Sequence, residues 1–133
     1  RVPGAKAGQV CDALTEYVDI YPTLAEACGL PVPQHCEGTS MMPLLVNPDR
    51  PWKTAAFSQY PRGRNVMGYS LRSGKWRYTE WRRRKTGEVT ERELYDHSTG
   101  PVAEANLVAD PKYKDEVQRL ARLMKGGWQG ARP

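Results

Sequence analysis

Two alternating runs, residues 66–72 and 75–81, lie on either side of Ser73-Gly74 and constrain the fold more than any other feature. Met67, Tyr69 and Leu71 recur at every second position in the first run, and Trp76, Tyr78 and Glu80 in the second. Successive side chains on a strand point to opposite faces, so each set lines one face. Glycine in the Ser73-Gly74 pair supplies the positive φ of a tight hairpin, and the turn is expected there. Residues 55–60 read as a preceding strand stopped by Pro61, and Leu94 and Tyr95 as part of a fourth strand after a basic loop at 82–87. The sum is a small antiparallel sheet. Trp76, Tyr78 and Trp81 are expected to fill its core.

Helical periodicity appears twice. Tyr113, Val117, Leu120, Ala121 and Met124 fall at i, i+4, i+7, i+8 and i+11, the spacing of one apolar helix stripe. Asp110-Pro111 opens that helix as N-cap and first residue, and Gly126-Gly127 closes it. Earlier, Ile20, Leu24, Ala27 and Cys28 share a face of a helix capped by Asp19. Pro22 is tolerated in its first turn, and Gly29 ends it. The stripe is expected to be buried, although no partner for it is evident in the chain. Residues 13–18 read as a short strand. Residues 30–53 form a long Pro-rich connection, with one or two helical turns at 40–45. The expected class is α+β: a four-stranded antiparallel sheet packed by a C-terminal helix, with an N-terminal helix and a long arm. A boundary is expected between residues 1–53 and 54–133.

The net charge of +5 is unevenly spread. Residues 62–92 hold ten Lys/Arg against three Glu, so the basic excess belongs to the hairpin region. Such a region suits an anionic partner or a solvated strand face and loop tip. No apolar run approaches the ~20 residues of a membrane helix. The three cysteines, Cys11, Cys28 and Cys36, have no CxxC spacing, which argues against structural zinc. They read as free thiols serving as small core residues, with Cys28 and Cys36 close enough in sequence to pair. The chain opens on Arg1-Val2-Pro3-Gly4, without an initiator Met or an apolar signal core. That fits a trimmed chain or a piece of a larger protein.

Catalytic chemistry has few candidates. His35 and His97 are the only histidines, and Gly-x-Ser-x-Gly is absent, so no nucleophile-and-base arrangement stands out. Asp96-His97 are neighbours on opposite faces of a strand end. They read as a turn-forming Asp with an exposed His rather than a metal pair. There is no phosphate-binding loop. Aromatics interleave with Arg in the hairpin as on stacking platforms, but they are needed for the core, so nucleic acid is disfavoured.

Several stretches together resemble type I sulfatases of the alkaline-phosphatase superfamily. Val18-Asp19-Ile20-Tyr21-Pro22-Thr23-Leu24, ending at Cys28-Gly29-Leu30-Pro31, is similar to their Asp-x-x-Pro-Thr-Leu helix. Glu37-Gly38-Thr39-Ser40 with Pro43-Leu44-Leu45 is similar to a second segment. Residues 56–62 and 67–72, with Arg77-Tyr78-Thr79-Glu80-Trp81, resemble the iduronate-2-sulfatase-like branch. Glu93-Leu94-Tyr95-Asp96 through Ala105-Asn106-Leu107 resembles the family tail, with His97 in place of an apolar residue.

The resemblance implies the C-terminal part of a longer enzyme that hydrolyses sulfate esters, on a sulfated glycan. Its partners would be the large N-terminal α/β domain and that glycan, with periplasmic or secreted location. Calcium and a formylglycine from a Cys/Ser-x-Pro-x-Arg motif would serve the longer enzyme. No such motif occurs here, so no catalytic or metal residue is assigned in this chain, and the chain alone is expected to be inactive. Substrate-rim candidates are Gln59, Tyr60, Arg62 and Arg64. An Arg fork suits a uronate carboxylate or a second sulfate, and Tyr60 suits a sugar ring. The alternative for Tyr60 and Arg62 is structural, bracing the contact with the large domain. The alternative for the chain is a non-catalytic basic β module binding anionic polymers, glycan or nucleic acid.

Overall fold

A computed structural model describes residue 2 and residues 5–100 and 102–133. Arg1, Pro3 and Gly4 of the opening stretch, and Pro101 in the tail motif, lie outside the described residues. The chain divides into two compact units, Arg1–Lys53 with Arg132–Pro133, and Thr54–Ala131.

In the first unit a 3-10 turn, Tyr17–Asp19, leads into α1, Ile20–Ala27, and a second short helix, α2, spans Met42–Val46. No strand forms at 13–18, contrary to the apolar pattern. The Glu16 N–H donates to the Asp19 carboxylate at 2.8 Å, and this local bond curls the chain into the turn instead of extending it. Asp19 stands at the N-cap position of α1, but its side chain makes no bond to that helix. It is fully buried and accepts from Thr39 N at 2.8 Å and from Lys53 Nζ at 2.7 and 2.8 Å.

Gly29, at φ +69°, ends α1. The Leu30 N–H reaches the Ala25 carbonyl and the Gly29 N–H the Glu26 carbonyl, which is a Schellman closure. Thr23 Oγ1 accepts from Met41 N at 2.8 Å, tying the Pro-rich arm to α1. A Cβ on Gly38 would lie 2.0 Å from the Val18 carbonyl oxygen, so only glycine lets the arm pass there. The expected burial of the α1 stripe is not found. Leu24 is 59% exposed and Ile20 44%. Nor are the cysteines core residues: all three thiols are free, with Cys11 and Cys28 exposed and Cys36 half-buried.

The second unit is a four-stranded antiparallel meander of β1 (Ala56–Arg62), β2 (Val66–Ser73), β3 (Trp76–Arg83) and β4 (Val89–Asp96), in that spatial order. After a 3-10 turn at Pro111–Tyr113, α3 (Lys114–Gly126) follows. Asp110 caps this entry, accepting from Lys112 N at 2.9 Å. Ser73 pairs with Trp76, so the hairpin loop is Gly74-Lys75, one residue later than the sequence suggested. Positive φ occurs at Gly74 and not at Lys75, as in a type II′ turn. Pro61 does not stop β1 but lies within it, opposite Met67. A strand at the sheet edge tolerates the missing N–H.

Register Phe57↔Leu71↔Tyr78↔Leu94 carries the core row across the sheet. Leu71, Tyr78 and Leu94 pack with Leu120 and Met124 of α3, and Tyr113, Val117 and Ala121 of the expected stripe border them. Trp76 meets Tyr113 edge-on at 5.4 Å. Asn106 explains the Asn-Leu of the tail. Its Oδ1 accepts from Leu94 N at 2.9 Å and its Nδ2 donates to the Arg92 carbonyl, while Leu107 N reaches the Leu94 carbonyl. That segment thereby satisfies part of the β4 edge.

Candidate functional site

The face of the sheet away from α3 carries the features of functional interest. Trp81 belongs there, not to the core beneath α3. Tyr78 faces α3, and Trp81 follows it by three residues on the same strand, so alternation puts the indole on the other side. A Cβ on Gly68, its cross-strand partner, would come within 2.6 Å of the Trp81 ring. The missing side chain is therefore the seat for the indole. Trp81 Nε1 donates to Glu93 at 2.8 Å, and the Arg62 guanidinium lies 3.8 Å from the ring centroid. Arg62 Nη1 also stands 3.4 Å from Glu91. Farther along the same face the Arg77 guanidinium lies 4.8 Å from the Tyr95 ring centroid.

The four rim candidates do not form one cluster. Gln59, Tyr60 and Arg62 lie on β1 and Arg64 in the turn at 63–65, and all four are exposed. Alternation turns Tyr60 and Arg62 to the Trp81 face and Gln59 to the α3 side. Tyr60 is 73% exposed, so its ring is open to a sugar. Arg62 is engaged by Trp81 and Glu91. These contacts hold the guanidinium within the sheet.

The α3 side holds a buried polar group at the end of the core row. Tyr78 donates to Glu80 at 2.8 Å. Glu80 is buried and also accepts from Arg82 Nε at 2.9 Å and Nη2 at 2.5 Å. Arg92 stands 3.7 Å away. Burial, then the hydrogen bond to Glu80, pushes the Tyr78 hydroxyl far above the ordinary phenol range. It stays protonated as a donor and cannot act as a base at neutral pH. The arrangement is a satisfied structural network rather than acid–base machinery.

Asp96 accepts from Lys75 Nζ at 2.7 Å and from Ser98 N at 2.8 Å. These bonds, Lys75 first, lower its pKa to about 2. The Asp therefore forms the turn expected of it. His97 differs from its expected exposure: both ring nitrogens are shut off from solvent and have no hydrogen-bond partner among the described residues. Among those residues, no three His, Cys, Asp or Glu side chains stand where they could hold one metal ion. The calcium that the resemblance implies is one of the longer enzyme, not of these residues. No helix of the described residues is long and apolar enough to cross a membrane.

Sequence reasoning missed two arrangements. The Gly68–Trp81 seat had a signal, a glycine inside an alternating strand. The buried Lys53–Asp19–Glu16 cluster had none, because Lys53 comes from an arm with no periodicity. Lys53 Nζ reaches Glu16 at 2.6 Å as well as Asp19.

Residues 1–127 match the family described as N-sulphoglucosamine sulphohydrolase, C-terminal. Arylsulfatase K of Rattus norvegicus is 30% identical over 118 residues, covering 81% of this chain and 20% of that protein. The N-acetylglucosamine-6-O-sulfatase of Bacteroides thetaiotaomicron is 27% identical over 133 residues, covering 94% of this chain and 23% of its own length. A solved structure described as a complex with its substrate D-glucosamine-2-N,6-O-disulfate superposes with a TM-score of 0.78 at 24% identity. It covers 92% of this chain, which in turn spans 25% of that structure. The chain thus spans between a fifth and a quarter of the length of these relatives.

Proposed function

The chain belongs to the N-sulphoglucosamine sulphohydrolase C-terminal family, and from that premise we propose that it is the closing part of an enzyme hydrolysing sulfate esters on sulfated glycans. The observation that carries this reading is the family match running through both units, from residue 1 to residue 127. The names of the related proteins point to sulfated sugars as substrates. In this reading residues 1–53 complete the large α/β domain and residues 54–133 form the C-terminal subdomain. Calcium, the formylglycine nucleophile and the groups around them belong to the large domain. The chain alone is inactive and contributes fold and pocket rim. A periplasmic or secreted location goes with such substrates.

The first unit supports the reading physically. Tyr17 is 92% exposed and Val46 85%, with Leu24 and Tyr21 also open. An apolar set of this kind is what a domain contact covers, and the large domain is the proposed cover. At the rim, Tyr60 offers a ring for a sugar, with Gln59, Arg62 and Arg64 as hydrogen-bond donors. The finer proposal is an iduronate-2-sulfatase-like preference, with a guanidinium reading a uronate carboxylate.

The test is kinetic. Arg62→Ala in the intact enzyme is expected to lower kcat/KM for a uronate 2-sulfate while leaving a small aryl sulfate little changed. A glucosamine sulfate assayed alongside separates the two sugar classes, and faster turnover of it would overturn the uronate preference. Equal losses on all three substrates would make Arg62 a bracing residue. An intact enzyme that hydrolyses no sulfate ester would overturn the function. Turnover by residues 1–133 alone would overturn the assignment of the chemistry to the large domain.

A further inference from the structure

We infer that the paired turns at one end of the sheet form a docking ridge for the non-reacting length of a sulfated or carboxylated glycan chain. The inference begins with a balance of charge. Among the cations between residues 62 and 92, most already have partners. Arg62 faces Glu91, Arg82 and Arg92 face Glu80, Arg83 faces Glu88, and Lys75 faces Asp96. Arg72 donates to the Gly74 carbonyl, and Arg77 lies over Tyr95. Arg64, Arg84 and Lys85 remain. All three are exposed, and among the described residues none of their side chains has an acid, carbonyl or ring partner.

The same three residues are brought together by the topology. Arg64 lies in the turn between β1 and β2, and Arg84 and Lys85 in the turn between β3 and β4. A meander puts both turns at the same end of the sheet. Val66 pairs with Arg83 at the end of the ladder, and Arg84 N then donates to the Asn65 carbonyl at 2.9 Å. One turn is thus hydrogen-bonded to the other. Gly63 and Gly87, at φ +61° and +73°, set the two bends, and Gly87 N closes the second onto the Arg83 carbonyl at 2.8 Å. The backbone under the cations is fixed before any ligand arrives, which lowers the ordering cost of binding.

Strands lie ≈ 4.8 Å apart, so the two turns together span on the order of 10–15 Å. That is a ridge for an extended polyanion rather than a pocket for one small anion. Glu88 and Glu91, the acids nearest the turns in sequence, are already held by Arg83 and Arg62 and do not cancel the field. A nucleic-acid strand would also require open aromatic faces for its bases. Trp81 rests against Gly68 and carries the Arg62 guanidinium, so it is not offered to a base, and Tyr60, 73% exposed on that face, is a single open ring rather than a run of them for successive bases. The proposal rests on the sulfatase reading only for the class of polyanion.

The test uses the full-length enzyme and the triple variant Arg64→Ala/Arg84→Ala/Lys85→Ala. Affinity for a heparin-derived hexasaccharide is measured by calorimetry over a salt series. The variant is expected to bind at least tenfold more weakly at low salt. Its slope of log affinity against log salt is expected to fall by about two to three, roughly one per cation removed. Because these side chains hold nothing else, the melting temperature should stay unchanged. Unaltered affinity overturns the ridge, and so does a loss of affinity that tracks a fall in melting temperature. An oligothymidylate of equal charge that binds as tightly and loses as much overturns the glycan assignment. Turnover of an aryl sulfate by the unsubstituted enzyme tests the sulfatase reading separately. An enzyme that binds the hexasaccharide but turns over nothing sinks that reading and leaves the ridge standing.

Discussion

Replacing Lys53 by Met tests what holds the first unit together. Lys53 is the cation between two carboxylates, Asp19 at 2.7 Å and Glu16 at 2.6 Å. Its side chain is 5% exposed, and those of Asp19 and Glu16 are 0% and 11% exposed. Removing it leaves Asp19 with two backbone N–H donors, from Glu16 and Thr39, and no counter-ion. It also leaves a second, largely buried carboxylate close by. Breaking a buried pair in this way costs about 3–5 kcal/mol, because the surviving charge is uncompensated. With a urea slope on the order of 1.5 kcal/mol/M, the midpoint should fall by about 2–3 M.

The comparison is Arg119→Ala, which removes a half-exposed i,i+3 pair with Glu116 worth about 0.3–0.5 kcal/mol. The assay is urea unfolding of the purified protein, with amide exchange read at Thr39 and Met41. Both amides bond to α1 and its preceding turn, so they report the first unit alone. Asp19→Asn completes a double-mutant cycle. A Lys53→Met loss as small as that of Arg119→Ala, or strict additivity with Asp19→Asn, would refute the claim that this cluster organises the unit.

Three further outcomes follow from the sheet. Gly68→Ala should displace the Trp81 ring, since the new methyl falls 2.6 Å from it. A cost of about 1–3 kcal/mol and an altered near-UV circular dichroism spectrum are expected, and an unchanged spectrum would contradict the seat. Leu94→Ala, at a fully buried position, should cost about 2–5 kcal/mol by thermal or urea unfolding, and a loss below 1 kcal/mol would show that the core lies elsewhere. Asp96 should titrate near pH 2 by carboxyl NMR, with Lys75→Met moving it up towards the ordinary 3.8. Its folded-state pKa lies below the unfolded one, so its stabilisation is present above about pH 4 and fades between about pH 4 and 2. A midpoint near 3.8 in the unsubstituted protein would remove that contribution.

Strict periods decided how much of this protein was legible. The alternation at 66–81 and the 3.6-residue stripe at 113–124 located β2, β3 and α3, because each is a repeat that one buried face imposes. Asp110-Pro111 and Gly29 marked helix ends through local backbone chemistry that needs no distant partner. Where a local signal competed with a distant one, the sequence misled. Asp19 looked like a cap but belongs to Lys53, thirty-four residues away. Pro61 looked like a stop, yet the edge position of β1 makes it harmless. Trp81 looked like core because it is a large aromatic, although its odd spacing from Tyr78 already put it on the opposite face of β3.

The candidate site shows the same division. Sequence alone determined that the basic excess sits between residues 62 and 92, since charge is a sum over residue types. Only the tertiary structure decided which of those cations are spent. Arg62, the residue singled out by chemistry, is held by Trp81 and Glu91. Arg64, Arg84 and Lys85 are left unpaired on two turns that the meander sets side by side. Pairing depends on distances of a few ångströms between residues far apart in the chain, and those distances exist only once the strands are in register.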